Sequence, residues 1–386
     1  MHRPVYLDHH ATTPLDPRVL DAMLPFLGPK FGNAASRSHS FGWEAEKAVE
    51  QARKRIAALA GAQPRAIVFT SGATESDNLA LKGVVEAYRA QGNHIVTVAT
   101  EHRAVLDPAR RLERAGISLT VLDPEPDGRL DLGRLRDAIR PNTVLVSVMY
   151  GNNEIGVIQP IREIAAICRE RSVLFHSDAV QAFGKVPIDV AEDGIDLMSV
   201  SAHKMYGPKG IGALYVRPGV RVVAQMDGGG HEFGLRSGTL NVPAIVGFGE
   251  AAAIASAEMA ADAAHDGALR DRLRERIVSA LEGVAVNGSV AHRLPGNLHL
   301  SIAGVDAESL LMSLPEIAFS SGSACSTAAI EPSHVLRAIG LTHERARSSV
   351  RFGIGRFNTE EEIDYAAARV VEAVRRLREL SPSARL

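Results

Sequence analysis

The stretch SVSAHKMYGPKGIG, residues 199–212, decides how the chain is read. An apolar, β-branched run ends on Ser201, His203 and Lys204, and a Gly-Pro-Lys-Gly turn follows. A strand that stops on a lysine is unusual, because lysine is seldom buried without a partner or a purpose. A desolvated lysine beside other cationic groups has a lowered pKa and can form a Schiff base with an aldehyde. Ser201 and His203 supply donors for a phosphate beside it. Lys209, in the turn, and Lys185, upstream, read as ordinary surface lysines.

Two further segments fit the same chemistry. In FHSDAVQAFGK, residues 175–185, Asp178 and Gln181 follow a second hydrophobic strand, 26 positions before Lys204 (204 − 178). A carboxylate held there can keep a heteroaromatic nitrogen protonated. In FTSGATESDN, residues 69–78, a strand runs through Ser71 and Gly72 into a helix with Glu75 in its first turn. A helix N-terminus carries free N–H groups and partial positive charge, and Gly72 lets an anion approach the backbone. Taken singly, the first is a helix cap and the second an ordinary strand-to-helix turn. Together the three supply a phosphate cradle, an acid for a pyridine nitrogen and a lysine for an aldehyde, the needs of pyridoxal phosphate.

Outward from these segments, residues 65–216 alternate short strands with helical patterns. The strand-like runs are AIVFT, HIVTVAT, TVLVSVMY, VLFHSD, IDLMSVSA and IGALYV. This alternation predicts an α/β fold with a mainly parallel sheet covered by helices on both faces, and ligands at the carboxyl ends of its strands. An alanine-rich helical stretch from about residue 243 to 281 keeps no strict heptad. Gly267 is expected to interrupt it, so it reads as a connector between domains. Beyond it the elements become shorter and mixed. The expected division is a large cofactor-binding domain, 16–255, and a small α+β domain, 1–15 with 256–386.

Bulk properties narrow the classes. The chain has 386 residues, a formal net charge of -2 and two cysteines. No global basic field favours direct nucleic-acid binding. The N-terminus lacks a secretory pattern, and the longest unbroken apolar runs fall short of the ~20 residues of a membrane helix, so a cytoplasmic location without membrane contact is expected. Two cysteines cannot build a disulfide framework or a four-cysteine zinc site, and neither HEFGLR nor HERAR has the H-E-x-x-H spacing, so no metal is expected. GPKGIG lacks the dinucleotide-binding glycine pattern, which weakens a nucleotide-binding reading. Cys168 lies on the apolar side of a predicted helix and reads as core. Cys325 stands in SSGSACSTA, residues 320–328, among small and hydroxylated residues with little to bury it.

In their order along the chain, YLDHHATTP, FGNAASRSH, FTSGATESDN, TEHRAVL, GNNEIGVIQP, FHSDAVQAFGKVPID, SAHKMYGPKGIGALYV, GGGHEFGLRSGTLN, SSGSAC, EPSHVLRAIG and SSVRFGIGRF resemble the motifs of cysteine desulfurases of the nitrogen-fixation and iron–sulfur-cluster branch. The resemblance runs from Tyr6 to Arg356. It implies a pyridoxal-phosphate enzyme of fold type I, with a mainly parallel seven-stranded sheet and a smaller α+β domain. It also implies a homodimer that converts L-cysteine to L-alanine and keeps the sulfur as a persulfide. On this resemblance Lys204 holds the cofactor's aldehyde, Asp178 pairs with its ring nitrogen and Gln181 with its phenolic oxygen. His102 stacks on the ring and moves protons. Ala73, Thr74, Ser201 and His203 hold the phosphate, with Thr239 reaching across from the partner subunit. Asn153, Arg351 and Asn33 bind the substrate carboxylate. Cys325 is the nucleophile, and Gly322 and its serines let residues 323–330 swing to deliver sulfur to an iron–sulfur scaffold or a tRNA-thiolation protein.

Two departures stand out. His9 and His10 occupy positions where relatives carry Asn, Tyr or Ala; they line the substrate entrance, tune protonation or serve as ordinary turn residues. Phe233 stands where a basic residue is common. The competing readings are a lyase or aminotransferase acting on another amino acid, selenocysteine included, and a non-catalytic scaffold-binding subunit. An aminotransferase would not need Cys325, and an intact Lys204 and Cys325 argue against the subunit.

Overall fold

The computed structural model describes residues 4–321 and 333–380. A short strand, β1 (Val5–Tyr6), is followed by seven strands of a central sheet: β2 (Ile67–Thr70), β3 (His94–Val98), β4 (Ser118–Leu122), β5 (Thr143–Ser147), β6 (Leu174–Asp178), β7 (Leu197–Ser201) and β8 (Gly212–Val216). Their order in space is β2-β8-β7-β6-β5-β3-β4. β3 to β7 pair in parallel, while β8 runs antiparallel to both β7 and β2. The mainly parallel seven-stranded sheet is the expected one.

Adjacent residues of these strands serve opposite faces. Val96, Val146 and Met198 join one apolar cluster, while Ile95, Leu145 and Leu197 join another across the sheet. A strand buried on both sides has no polar face, which is why these segments read as unbroken apolar runs. β4 is different. It is an edge strand only partly buried along its length, so its run stands out less in the sequence. Cys168 lies fully inside the first cluster, as expected, and burial pushes its thiol up to about 12.

A second sheet contains β9 (Val284–Val286), β10 (Asn297–Ile302), β12 (Ser320–Ser321) and β13 (Ser349–Gly353), ordered β12-β13-β10-β9; β11 (Ile317–Ala318) instead pairs in parallel with β1. Its core gathers Leu298, Leu300, Val350, Phe352 and, from the closing helix Glu360–Leu380, Ile363 and Val370. Leu7, from the other end of the chain, belongs to this core too.

The helix Val242–Ala280 joins the two cores, and it corrects an expectation. It runs unbroken for 39 residues, through Gly267. A glycine in a helix costs only about 1 kcal/mol, which flanking alanines and packing at both ends easily outweigh. By length and composition it is the one helix among the described residues that could cross a membrane. Its apolar residues are spent inside the fold: Val242, Ile245 and Phe248 in the first core, Leu269, Leu273 and Ile277 in the second.

Candidate active site

The carboxyl ends of β2, β6 and β7 open on a cavity of about 550 Å³. Its lining comes from distant stretches: residues 10–12, 71–75, 178–181 and 201–204, with His102, Asn153 and Arg351.

One part of the wall is a strand-to-helix turn. Ser71 and Gly72 lead from β2 into the helix Ala73–Ala87, and the Ser71 N–H donates to Glu75 Oε2 at 2.7 Å. Arg236 fixes Glu75 from outside at 2.8 Å. The N–H groups of Ala73 and Thr74 have no intrahelical acceptor at this position in a helix. Gly212 of β8 lets the turn lie against the sheet. A Cβ there would stand 2.6 Å from the Val200 carbonyl oxygen and 2.8 Å from the Gly72 Cα. Ser201 and His203 share the cavity, and His203 Nδ1 lies 3.1 Å from Thr12 Oγ1. Burial, with Lys204, Lys209 and Lys185 nearby, holds His203 down at about 4, so its imidazole is neutral at pH 7.

Asp178, the last residue of β6, is buried at the cavity and accepts the Val180 N–H on Oδ1 at 3.0 Å. Burial raises its pKa, against the pull of that N–H and of His102 and Lys204. A cationic ring nitrogen placed before it would favour the ionised form. Behind it lies a buried polar layer. His176 meets Ser147 Oγ at 2.8 Å and Ser199 Oγ at 3.0 Å, and its Nε2 is 3.6 Å from Asp77 Oδ1. Asp77 is fully buried, and burial together with the Asp178 charge pushes its carboxyl well up.

Lys204 donates to the carbonyl oxygens of His10 and Ala11, each at 2.7 Å. The side chain therefore spans from the strand end to the N-terminal turn across the cavity wall. His102 caps the helix Arg103–Arg114, and its Nδ1 accepts the Ala104 N–H at 3.1 Å. That bond places the proton of a neutral ring on Nε2. Arg351 donates through Nη1 to the Asn153 carbonyl at 2.8 Å and through Nη2 to Asp8 Oδ1 at 2.8 Å and Ser320 Oγ at 3.3 Å. Its Nε is buried without a hydrogen-bond acceptor among the described residues.

The structure thus gathers Lys204, Asp178, Gln181, His102, Ala73, Thr74, Ser201, His203, Asn153 and Arg351 around one cavity. Asn33 is not brought there; it is exposed, and its Oδ1 accepts the Ala35 N–H. Thr239 is exposed and absent from its own chain's cavity lining. Cys325, and with it the reading of residues 323–330 as a delivery loop, lies outside the described residues. The described chain stops and resumes close to the site. Ser320 pairs with Arg351 across β12 and β13, and the Ser333 hydroxyl donates to Glu154, the neighbour of Asn153.

Several residues differ from their sequence reading. Lys185 is not a surface lysine: its ammonium donates to Gln181 Oε1 at 3.4 Å, and burial beside Lys204 brings its pKa down to about 7. His9 is packed edge-on against Tyr6 with ring centroids 5.0 Å apart, and it does not line the cavity, whereas His10 does. Phe233 lies over the Arg53 guanidinium, 5.1 Å from ring centroid to cation. A basic residue there would repel Arg53, which gives the departure a physical reason. Asp8, the partner of Arg351, carries no signal in sequence, because the pair spans 343 positions.

Comparison with known proteins agrees with this geometry. The aminotransferase class-V family matches residues 5–366. The chain is 60% identical to a cysteine desulfurase IscS of an Anaeromyxobacter species, over 99% of this chain and 95% of that one. It is 56% identical to the cysteine desulfurase IscS of Rickettsia felis, over 98% and 93%. Among solved structures, a NifS-like protein superposes with a TM-score of 0.91 at 36% identity, covering 96% of this chain and 99% of that chain. SspA in complex with cysteine gives 0.81 at 37%, covering 92% and 100%. The chain belongs to the class-V aminotransferases and, within them, to the group of the cysteine desulfurases.

Proposed function

We propose that this protein is a cysteine desulfurase that releases L-alanine from L-cysteine and keeps the sulfur on Cys325. The observation that carries the reading is the meeting of Lys204, Asp178 and Arg351 in one cavity.

The donor set suits pyridoxal phosphate, the cofactor of this family. Ala73, Thr74, Ser201 and His203 would hold its phosphate, Asp178 its ring nitrogen, Gln181 its phenolic oxygen and Lys204 its aldehyde, with His102 against the ring. When bound, it supplies an electron sink for the bonds around the substrate's α-carbon. Asp178, already desolvated, strengthens that sink by favouring a protonated ring nitrogen. Arg351 and Asn153 orient the substrate carboxylate, and Asp8 holds the Arg351 fork in place. As a free amine at the cavity wall, Lys204 would be suited to taking the proton from the substrate's α-carbon. His102 offers a second proton site through Nε2. The Cys325 thiolate attacks the substrate sulfur. The carbon–sulfur bond breaks, its electron pair stays with carbon and a proton completes alanine. The sulfur and its proton stay on Cys325 as a persulfide.

The finer features belong to the same proposal. A homodimer would use Thr239, exposed in its own subunit, in the cavity of its partner. A reducing cytoplasm would keep Cys325 ready for use, and an iron–sulfur scaffold or a tRNA-thiolation protein would take the sulfur.

The test is to load the protein with cofactor, supply L-cysteine and trap the persulfide by alkylation. One alanine should form per sulfur released, with the trapped sulfur mapped by mass spectrometry to Cys325. Cys325→Ser should keep the colour of the bound cofactor and form neither product. Equal alanine formation by that variant would remove Cys325 from the reaction. A keto acid in place of alanine would make the protein an aminotransferase.

A further inference from the structure

His10 and Gln181 hold each other through two hydrogen bonds. Gln181 Nε2 lies 2.9 Å from the His10 carbonyl oxygen, and Gln181 Oε1 lies 2.9 Å from His10 Nδ1. The His10 carbonyl also accepts the Lys204 ammonium at 2.7 Å, and Gln181 Oε1 accepts from the Lys185 ammonium at 3.4 Å.

These contacts decide where the protons sit. A backbone carbonyl can only accept, so the group of Gln181 that faces it is the amide nitrogen. The amide oxygen then faces His10 Nδ1, and since that oxygen can only accept, Nδ1 carries a hydrogen. A proton on Nε2 as well would make a cation, and this ring is 2% exposed, with Lys185, Arg351 and Lys204 as its charged neighbours. The imidazole is neutral, with Nδ1–H as donor and Nε2 bare. Nε2 is indeed buried without a hydrogen-bond partner among the described residues. The Gln181 oxygen is spent on His10 and Lys185, and one amide N–H is spent on the His10 carbonyl. What remains to Gln181 is a single N–H.

We propose that His10 is a positioning residue: its Nδ1–H locks the Gln181 amide so that Gln181 can offer the cavity a donor and never an acceptor. This rests on the reading of the cavity as a pyridoxal-phosphate site, where Gln181 meets the phenolic oxygen. A fixed donor there stabilises the ionised oxygen and sets the pH at which the bound chromophore loses its proton. Position 10 thereby tunes the cofactor without touching it. Asparagine at this position can place its amide N–H close to where Nδ1–H stands, whereas leucine fills similar space and donates nothing.

The experiment titrates the visible absorbance of the protein loaded with pyridoxal phosphate. His10→Asn should keep the wild-type midpoint. His10→Leu should move it to higher pH by about 0.5–1 unit, the equivalent of one weakened neutral hydrogen bond. A coloured His10→Leu protein with the wild-type midpoint overturns the inference, as does His10→Asn shifting as far as His10→Leu. A wild-type protein that takes up no cofactor overturns the site reading itself. Should His10→Leu fail to fold, nitrogen NMR of the ¹⁵N-histidine-labelled wild-type protein gives the answer. A protonated Nδ1 with a bare Nε2 at His10 bears the inference out, and the opposite tautomer overturns it.

Discussion

Two arginines, each about 3% exposed, show how differently this protein uses the same buried cation. Arg53 is saturated. Its Nε meets Glu50 at 2.9 Å, Nη1 meets the Ile67 carbonyl at 2.6 Å and Glu232 at 2.7 Å, and Nη2 meets Glu232 at 2.8 Å. The rings of Phe69 and Phe233 also lie against its guanidinium. Arg351 lines the cavity and leaves Nε unspent among the described residues. A cation with a partner on every nitrogen fixes structure; one at a cavity with a nitrogen to spare keeps capacity for a ligand. What Arg53 fixes is costly on its own. Glu232 and Phe233 have φ of 48° and 60°, left-handed conformations that non-glycine residues seldom adopt. The bidentate bond to Glu232 and the cover from Phe233 hold that turn in place, and the turn leads through Arg236, which grips Glu75, to Thr239.

The sharpest way to break the contrast is to remove one partner from each arginine's surroundings. Glu232→Ala strands a buried guanidinium and should cost about 3–5 kcal/mol of unfolding free energy, read as a lower urea midpoint. Arg351→Lys should do the reverse. It costs about 1 kcal/mol of stability, while kcat/KM for L-cysteine falls about 100-fold, because an ammonium cannot reproduce a planar fork. If Glu232→Ala proves mild and Arg351→Lys unfolds the protein, the assignment of roles is inverted.

The surroundings of Arg351 also titrate. Burial pushes the Glu154 carboxyl up to about 7, against the Ser333 hydroxyl and the Arg351 charge. A carboxyl held above its ordinary 4.5 binds its proton more tightly in the folded chain than in the unfolded one. Its contribution to stability is therefore complete below that ordinary value and is lost as pH rises towards 7. Relative to Glu154→Gln, the wild type should lose about 1–3 kcal/mol between pH 4.5 and 7.5. Parallel stability curves for the two proteins would remove Glu154 from the account. The smallest effect belongs to the helix that joins the cores holding the two arginines. Gly267 has open space where a Cβ would go, so Gly267→Ala should add about 0.5–1 kcal/mol and leave activity unchanged. A loss of stability would mean that the helix needs a soft point there.

What could be read from the chain follows from where information is local. Strands such as β3, buried on both faces, announce themselves as apolar runs, and the residues at their carboxyl ends inherit a place in the site. Lys204, Asp178 and the turn at Gly72 were legible for that reason. The half-buried β4 was less so, since one of its faces is free to carry any residue. Gly267 misled because local propensity yields to tertiary packing. Lys185 misled because only the fold buries it and brings Lys204 beside it. Asp8 and the tautomer of His10 could not be read at all, since each depends on contacts with residues 171 or more positions away.

That separation bears on how the protein is made. Leu7 belongs to the core built by Val350 and Phe352, and β1 pairs with β11, so residues 5–7 must wait for partners made much later. Asp8 and His10 travel with them. A chain still being synthesised can complete the central sheet and place Asp178 and Lys204, yet it lacks the Arg351–Asp8 pair and the small core that anchors the turn carrying His10. The clamp is complete only once β13 is made, so a product that stops before Arg351 carries the cradle and Asn153 without the Arg351–Asp8 pair.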